Sequence, residues 1–159
     1  MAAVASLFSM GLVGAAVVYT AVERIDATPD VVWEVLADFS AYGEWNPWLT
    51  TAVGACEVGA KVTATVVLGD QTRSAQHRVL EVAPLQRLCW RDAGWTTLFV
   101  KGRRCRIIEV EDGGVTLRNE LKIWGPFVWL ADKKYGDALL DGIKAETLAV
   151  RQRSEQDGR

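Results

Sequence analysis

The chain is short of the residues that most chemistry needs. It has one histidine, three cysteines and four prolines in 159 residues, and no basic surplus: 18 Lys and Arg stand against 20 Asp and Glu, a net charge of −2. Each shortage excludes something. Without excess positive charge nothing would neutralise a run of phosphates, so nucleic acid is not an expected partner. His77 stands alone, and Cys56, Cys89 and Cys105 form no Cys-x-x-Cys pair, so no zinc site of ordinary composition can be assembled and no cofactor is implied. An odd number of scattered cysteines implies no disulfide framework, and reduced thiols in a cytoplasmic protein are the expectation. Nucleophile elbows, phosphate-binding glycine loops, dinucleotide glycine motifs and paired carboxylates are all missing from the sequence. No catalytic residue is therefore assigned.

What is present begins with an apolar leader. The first 22 residues carry no charged side chain. A secretory signal would want Lys or Arg near the start, and the small-residue site around Ala15 and Ala16 is weak. A spanning helix needs about 20 apolar residues, and here the last of them read as strand. Residues 1–15 are thus set apart as an extension. Three readings of them stay open: a packed or frayed extension, a membrane-associating segment reaching to about residue 17, and a cleaved signal.

From Ala16 the pattern becomes that of a folded domain, 16–155. Ala16 to Ile25 is β-branched and aromatic enough for a strand. Thr28 then stands at an N-cap position, Pro29 at the first helical position and Asp30 in the first turn, which predicts a helix over Pro29–Phe39. Trp45-Asn46-Pro47-Trp48 closes this region as a turn. Period-two alternation starts at Lys61, with strands expected up to Leu68, over Thr72–Val82, over Arg87–Arg91 and over Leu98–Val110, the last broken or bulged at Gly102. Asp112-Gly113-Gly114 predicts a hairpin turn. Beyond it Leu117, Asn119, Leu121 and Ile123 alternate cleanly with polar residues, and Gly125-Pro126 stops the strand. Phe127 to about Arg153 has helical period, with Val128, Leu139, Ile143 and Val150 near one line. Strands segregated from one long helix predict an α+β fold with an antiparallel sheet.

Ile25-Asp26-Ala27, Val32-Trp33, Asp38-Phe39, Trp45-Asn46-Pro47, Pro84-x-x-x-Leu88-x-Trp90, Gly114 to Asn119 and Gly125-Pro126 together resemble the START/polyketide-cyclase superfamily (SRPBCC). The resemblance runs over nearly the whole chain. It implies a helix-grip fold, in which a curved antiparallel sheet wraps a long C-terminal helix, with a short helix pair after strand one. It also implies an apolar cavity between sheet and helix. The implied functions range over lipid and hormone binding, coenzyme Q handling, polyketide aromatisation and co-chaperone work, and fold alone does not choose among them.

Candidate ligand contacts follow. Asn119 shares its strand face with Leu117, Leu121 and Ile123, an amide among apolar neighbours that must find a partner. Period two puts Arg104 and Arg106 on one face, and a buried guanidinium demands an acid, so the site could select an amphipathic ligand with an acidic head. Glu23 and Glu146 are possible internal partners. His77 could be a cavity donor or acid/base. Trp45, Trp48, Trp90, Phe99, Tyr135 and Leu139 complete the expected lining. The leading expectation is binding or transport of a hydrophobic or amphipathic small molecule, a lipid, isoprenoid or polyketide-like compound. The alternatives are a cyclase/aromatase or dehydratase using the same cavity, and an interaction domain whose cavity is filled.

Overall fold

A computed structural model describes residues 15–158. The apolar extension, residues 1–15, lies outside the described residues apart from Ala15. Seven strands form one antiparallel sheet: β1 (Ala16–Ile25), β2 (Leu49–Val53), β3 (Lys61–Leu68), β4 (Gln71–Ala83), β5 (Arg87–Asp92), β6 (Lys101–Glu111) and β7 (Gly114–Trp124). Their order is β1-β7-β6-β5-β4-β3-β2. Strands β2 to β7 are thus neighbours in sequence order, and β1 closes against β7, with Ala16 opposite Trp124 and Ile25 opposite Val115. A 30-residue helix, α3 (Val128–Asp157), packs across the inner face. Helices α1 (Pro29–Ala37) and α2 (Tyr42–Trp45) follow β1. This is the α+β helix-grip arrangement expected from the sequence.

Local chemistry explains the elements and corrects some of their limits. Thr28 is the N-cap of α1 with extended backbone, though its hydroxyl makes no capping bond, and Pro29 and Asp30 follow in the first turn. The helix stops at Ala37, not Phe39, because the Asp38 carboxylate accepts hydrogen bonds from the Ser40 amide at 3.1 Å and its hydroxyl at 2.5 Å. That starts a 3-10 turn at Phe39. Strand β2 was not foreseen. It is five residues long and pairs with β3 through a register shift between Leu49 and Thr51. The broken pairing dilutes its two-residue period.

Gly102 is also different from expectation. Residues of β6 run in unbroken register from Lys101 opposite Trp124 to Glu111 opposite Gly114. The bulge lies instead in β4, between Val79 and Glu81. A Cβ at Gly102 would overlap the Asp92 carboxylate, so the glycine provides room rather than a break. The 3-10 turn Trp95–Leu98 replaces the start expected for this strand.

The expectation of three reduced thiols is corrected too. Cys89 of β5 faces Cys105 of β6 and the two form a disulfide, while Cys56 is free. Direct opposition of two cysteines on neighbouring strands brings their Cα atoms to 4.2 Å. Spacing in sequence carries no sign of that register. No helix among the described residues is long and apolar enough to cross a membrane.

Candidate functional site

The inner face of the sheet should be apolar, since it is buried against α3. Most of it is: Ile25, Val62, Leu88, Val115 and Leu117 are fully buried, as are Ile143 and Val150 on the facing side of α3. Inside this core, however, lies a polar cluster. Arg104, Arg106, Asn119, Glu146, Thr147 and Asn46 are all at most 4% exposed. Register explains how they meet. Arg106 sits opposite Asn119 and Arg104 opposite Leu121 across β6 and β7, and both arginines point to the face that α3 covers. Glu146 is buried among Ile143, Thr147 and Val150 on the inward stripe of α3.

Glu146 is the hub. Its Oε1 accepts hydrogen bonds from Asn46 Nδ2 at 2.8 Å and from Arg106 Nη2 at 3.0 Å. Its Oε2 accepts from Asn119 Nδ2 at 2.9 Å and is paired with Arg104 Nη2. Arg104 Nε donates to Asn119 Oδ1 at 3.1 Å, which fixes the amide's orientation. The Thr147 hydroxyl accepts from the same amide and donates to the Ile143 carbonyl. Each guanidinium also lies over an indole at 4.3 Å from the ring centre, Arg104 on Trp48 and Arg106 on Trp90. These contacts return part of the attraction that water would have supplied.

The charges do not balance. Two buried guanidiniums share one buried carboxylate. Arg106 Nε and Nη1 have no hydrogen-bond partner among the described residues. Burial, and then the neighbouring Arg106, press the proton affinity of Arg104 well below the ordinary arginine value. Burial lowers that of Arg106 as well. Arginine keeps its proton in proteins, so the strain remains as a pull on any nearby anion.

Beside this cluster opens a cavity of about 450 Å³, lined among others by Arg104, Trp48 and the loop of Gly94, Trp95 and Thr96. Trp48, Trp90, Leu121 and Leu139, expected as ligand contacts, line it with His77 and Arg104. His77 is buried, stacks on Trp90 with ring centres 5.1 Å apart, and places Nδ1 at 3.2 Å from Asp92 Oδ1. Gly142 shapes the wall: a Cβ there would fall inside the Trp48 indole.

Other expected contacts lie elsewhere. Arg106 and Asn119 belong to the cluster behind the wall, and Leu117 is in the solid core. Trp45 packs on Tyr42 at 5.0 Å and borders a separate groove between α1 and α3. Tyr135 is half-buried and meets Arg73. Phe99 is exposed on the outer end of the domain, because the chain is in a turn, not a strand, before Lys101. Glu23 is at the rim, paired with Arg151. Three participants were missed: Thr147, one helical step beyond Glu146, and Asn46 and Asp92. Asn46 looked like part of a structural turn, and it is one, accepting the Trp48 and Leu49 amides while its other end reaches Glu146. Asp92 becomes a partner of His77 only through the β4–β5 register.

Fold and site define a helix-grip domain with an internal cavity walled partly by a buried ionic cluster. The chain belongs to the polyketide cyclase/dehydrase and lipid transport family, whose profile matches residues 16–150. No curated protein sequence matches it. Among solved structures, it is similar to the Zhui aromatase/cyclase of Streptomyces sp. R1128, with a TM-score of 0.78 and 16% identity over 91% of this chain and 97% of that one. It is also similar to a Staphylococcus aureus protein of unknown function, SA2116 (TM-score 0.69, 11% identity, 92% and 98% covered). Norcoclaurine synthase of Thalictrum flavum aligns with a TM-score of 0.62 at 14% identity, over 88% of this chain and 98% of its own. At such identities the likeness is one of fold.

Proposed function

We propose that the cavity binds an amphipathic small molecule, lipid, isoprenoid or polyketide-like, with a hydrocarbon body and an acidic oxygen head. The observation that carries this reading is the excess of one positive charge in the buried cluster, at a wall of an otherwise largely apolar pocket. A cavity of about 450 Å³ is of small-molecule size. Burying roughly 200 Å² of hydrocarbon there would contribute about 5 kcal/mol. A carboxylate or enolate near Arg104 would supply the missing negative charge and set the ligand's direction.

Calorimetry with a fatty acid and the alcohol of equal chain length tests both halves of the proposal. The acid should bind about tenfold tighter, equal to about 1.4 kcal/mol. Equal affinities would remove the acidic head and leave the apolar ligand; no binding of either, with no lipid extracted from the purified protein, would remove the binding reading altogether. One observation favours a second reading, an enzyme of the cyclase or dehydratase type. Nδ1 of His77 lies 3.2 Å from Asp92 Oδ1, and neither ring nitrogen is hydrogen-bonded to the protein among the described residues, which leaves Nε2 open to a substrate proton as a general base needs. Turnover of a poly-β-ketone that is lost in His77→Gln would support it; no turnover by the native chain would end it.

A further inference from the structure

One end of the domain reverses the usual placement of apolar residues. Trp95 is 74% exposed, Leu98 72% and Trp129 62%, with Phe99, Phe127 and Leu130 also exposed beside them. They form one surface. The Trp95 and Phe99 rings are 6.0 Å apart and the Phe99 and Phe127 rings 5.8 Å, and the Phe127 amide donates to the Phe99 carbonyl at 3.3 Å. Trp129 and Leu130 continue it along the first turn of α3. Scattered exposed apolar residues need no explanation, but a contiguous aromatic group does.

We propose that this end docks on the surface of a lipid bilayer containing anionic lipid. Four observations select a bilayer over a protein partner. Tryptophan and phenylalanine with leucine suit the interfacial layer, where an apolar body and a polar edge are both accommodated. Exposed Lys101, Lys133 and Lys134 flank the patch in sequence, and lysines close to an anionic surface are drawn to it. The loop of Gly94, Trp95 and Thr96 lines both the patch and the cavity, so docking would set the cavity's edge against the lipid. Finally, β1 begins at this end, Ala16 lying opposite Trp124, which in turn pairs with Lys101, and the residues preceding it in sequence carry no charge. The docked face rests on the fold alone; only its use in exchanging ligand with the membrane rests on the proposed function.

The test is flotation of the full chain with vesicles of phosphatidylcholine, with and without about one-third phosphatidylglycerol, compared with the full-chain variant Leu98→Ser/Trp129→Ser/Leu130→Ser. None of the three residues lines the cavity. The native chain should float with the anionic vesicles and weaken in high salt. The variant should lose at least about tenfold in partitioning while binding the fatty acid in detergent-free solution as the native chain does. A folded variant that floats equally well would overturn the proposal and leave residues 1–14 as the anchor. A native chain that ignores vesicles but becomes smaller on substitution would also overturn it, in favour of self-association through the patch. Failure of fatty-acid binding in both proteins, with flotation intact in the native chain, would count against the ligand reading only.

Discussion

The interior of this domain is charged where it should be apolar, and one end of its surface is apolar where it should be charged. The two regions are opposite departures from ordinary burial, and they differ in what holds them. Glu146 is held from several sides: both of its oxygens are engaged, and two indoles cover the guanidiniums that face it. Trp95, Leu98 and Trp129 stay mostly in water, Trp95 with its ring against Phe99. Buried charge is expensive unless it is paired, so the inner cluster must be stabilised by its own partners. The outer patch costs the folded state little, because the unfolded chain exposes the same side chains. Substitution should therefore separate the two by stability first and by binding second.

The largest effect is expected at Glu146. Glu146→Gln keeps the shape but leaves two guanidiniums buried without a carboxylate, and removing one partner of such a set costs about 3–5 kcal/mol. Urea unfolding would measure it. A loss below about 1 kcal/mol would mean that water or movement already satisfies the arginines. A companion variant sharpens the point. Replacing Glu146, Arg104 and Arg106 together by Met or Leu should recover much of the stability. It should also abolish any preference for an acidic ligand. Stability and charge selectivity would then be seen to come from the same three side chains by different routes.

This contrast also explains what could be read in the sequence. The sheet, the capped helix and the long α3 were legible because each repeats a pattern over many residues, as Leu117, Asn119, Leu121 and Ile123 do in β7. That Arg104 and Arg106 share one face was legible for the same reason, but which way that face turns was not. Pairings set by register or by tertiary packing were not: His77 with Asp92 and Cys89 with Cys105 meet across strands, and Asn46 with Glu146 between a turn and α3, joining positions 15, 16 and 100 residues apart. Strand β2 and the turn holding Phe99 are too short or too irregular for a period to show. The outer patch escaped for another reason. Phe99 reads as core in any periodic scheme, and only the turn at Trp95–Leu98 puts it outside.

A middle-sized effect lies at the wall between cluster and cavity. Alanine is favoured over glycine in a helix by about 1 kcal/mol. Gly142 is helical, so Gly142→Ala would be stabilising if space allowed. It does not, since the new methyl would occupy the position of the buried Trp48 ring. Overpacking of this kind costs about 1–3 kcal/mol, enough to reverse the sign. The variant should melt earlier. It should also bind apolar ligand more weakly, because Trp48 lines the cavity and carries Arg104 over its face. A variant more stable than the native chain would show that the indole can swing away, and that the arginine's aromatic cover is dispensable.

The smallest effect on stability is expected at the outer end, and that smallness is informative. Leu98→Ser, Trp129→Ser and Leu130→Ser should each stay within about 0.5 kcal/mol in urea unfolding, the range of ordinary surface changes. Their area is already in water, so little burial is lost. If one of them cost 2 kcal/mol, that residue would be part of the packed core and the patch would be smaller than its exposure indicates. A neutral result matters because it makes the vesicle experiment clean: partitioning would fall while fold, cavity and cluster stay as they are. It would also distinguish the two departures by mechanism. A group held in an unfavourable place by four partners reports its removal as unfolding, whereas a group left in an unfavourable place by nothing reports its removal only when its missing partner, the bilayer, is supplied.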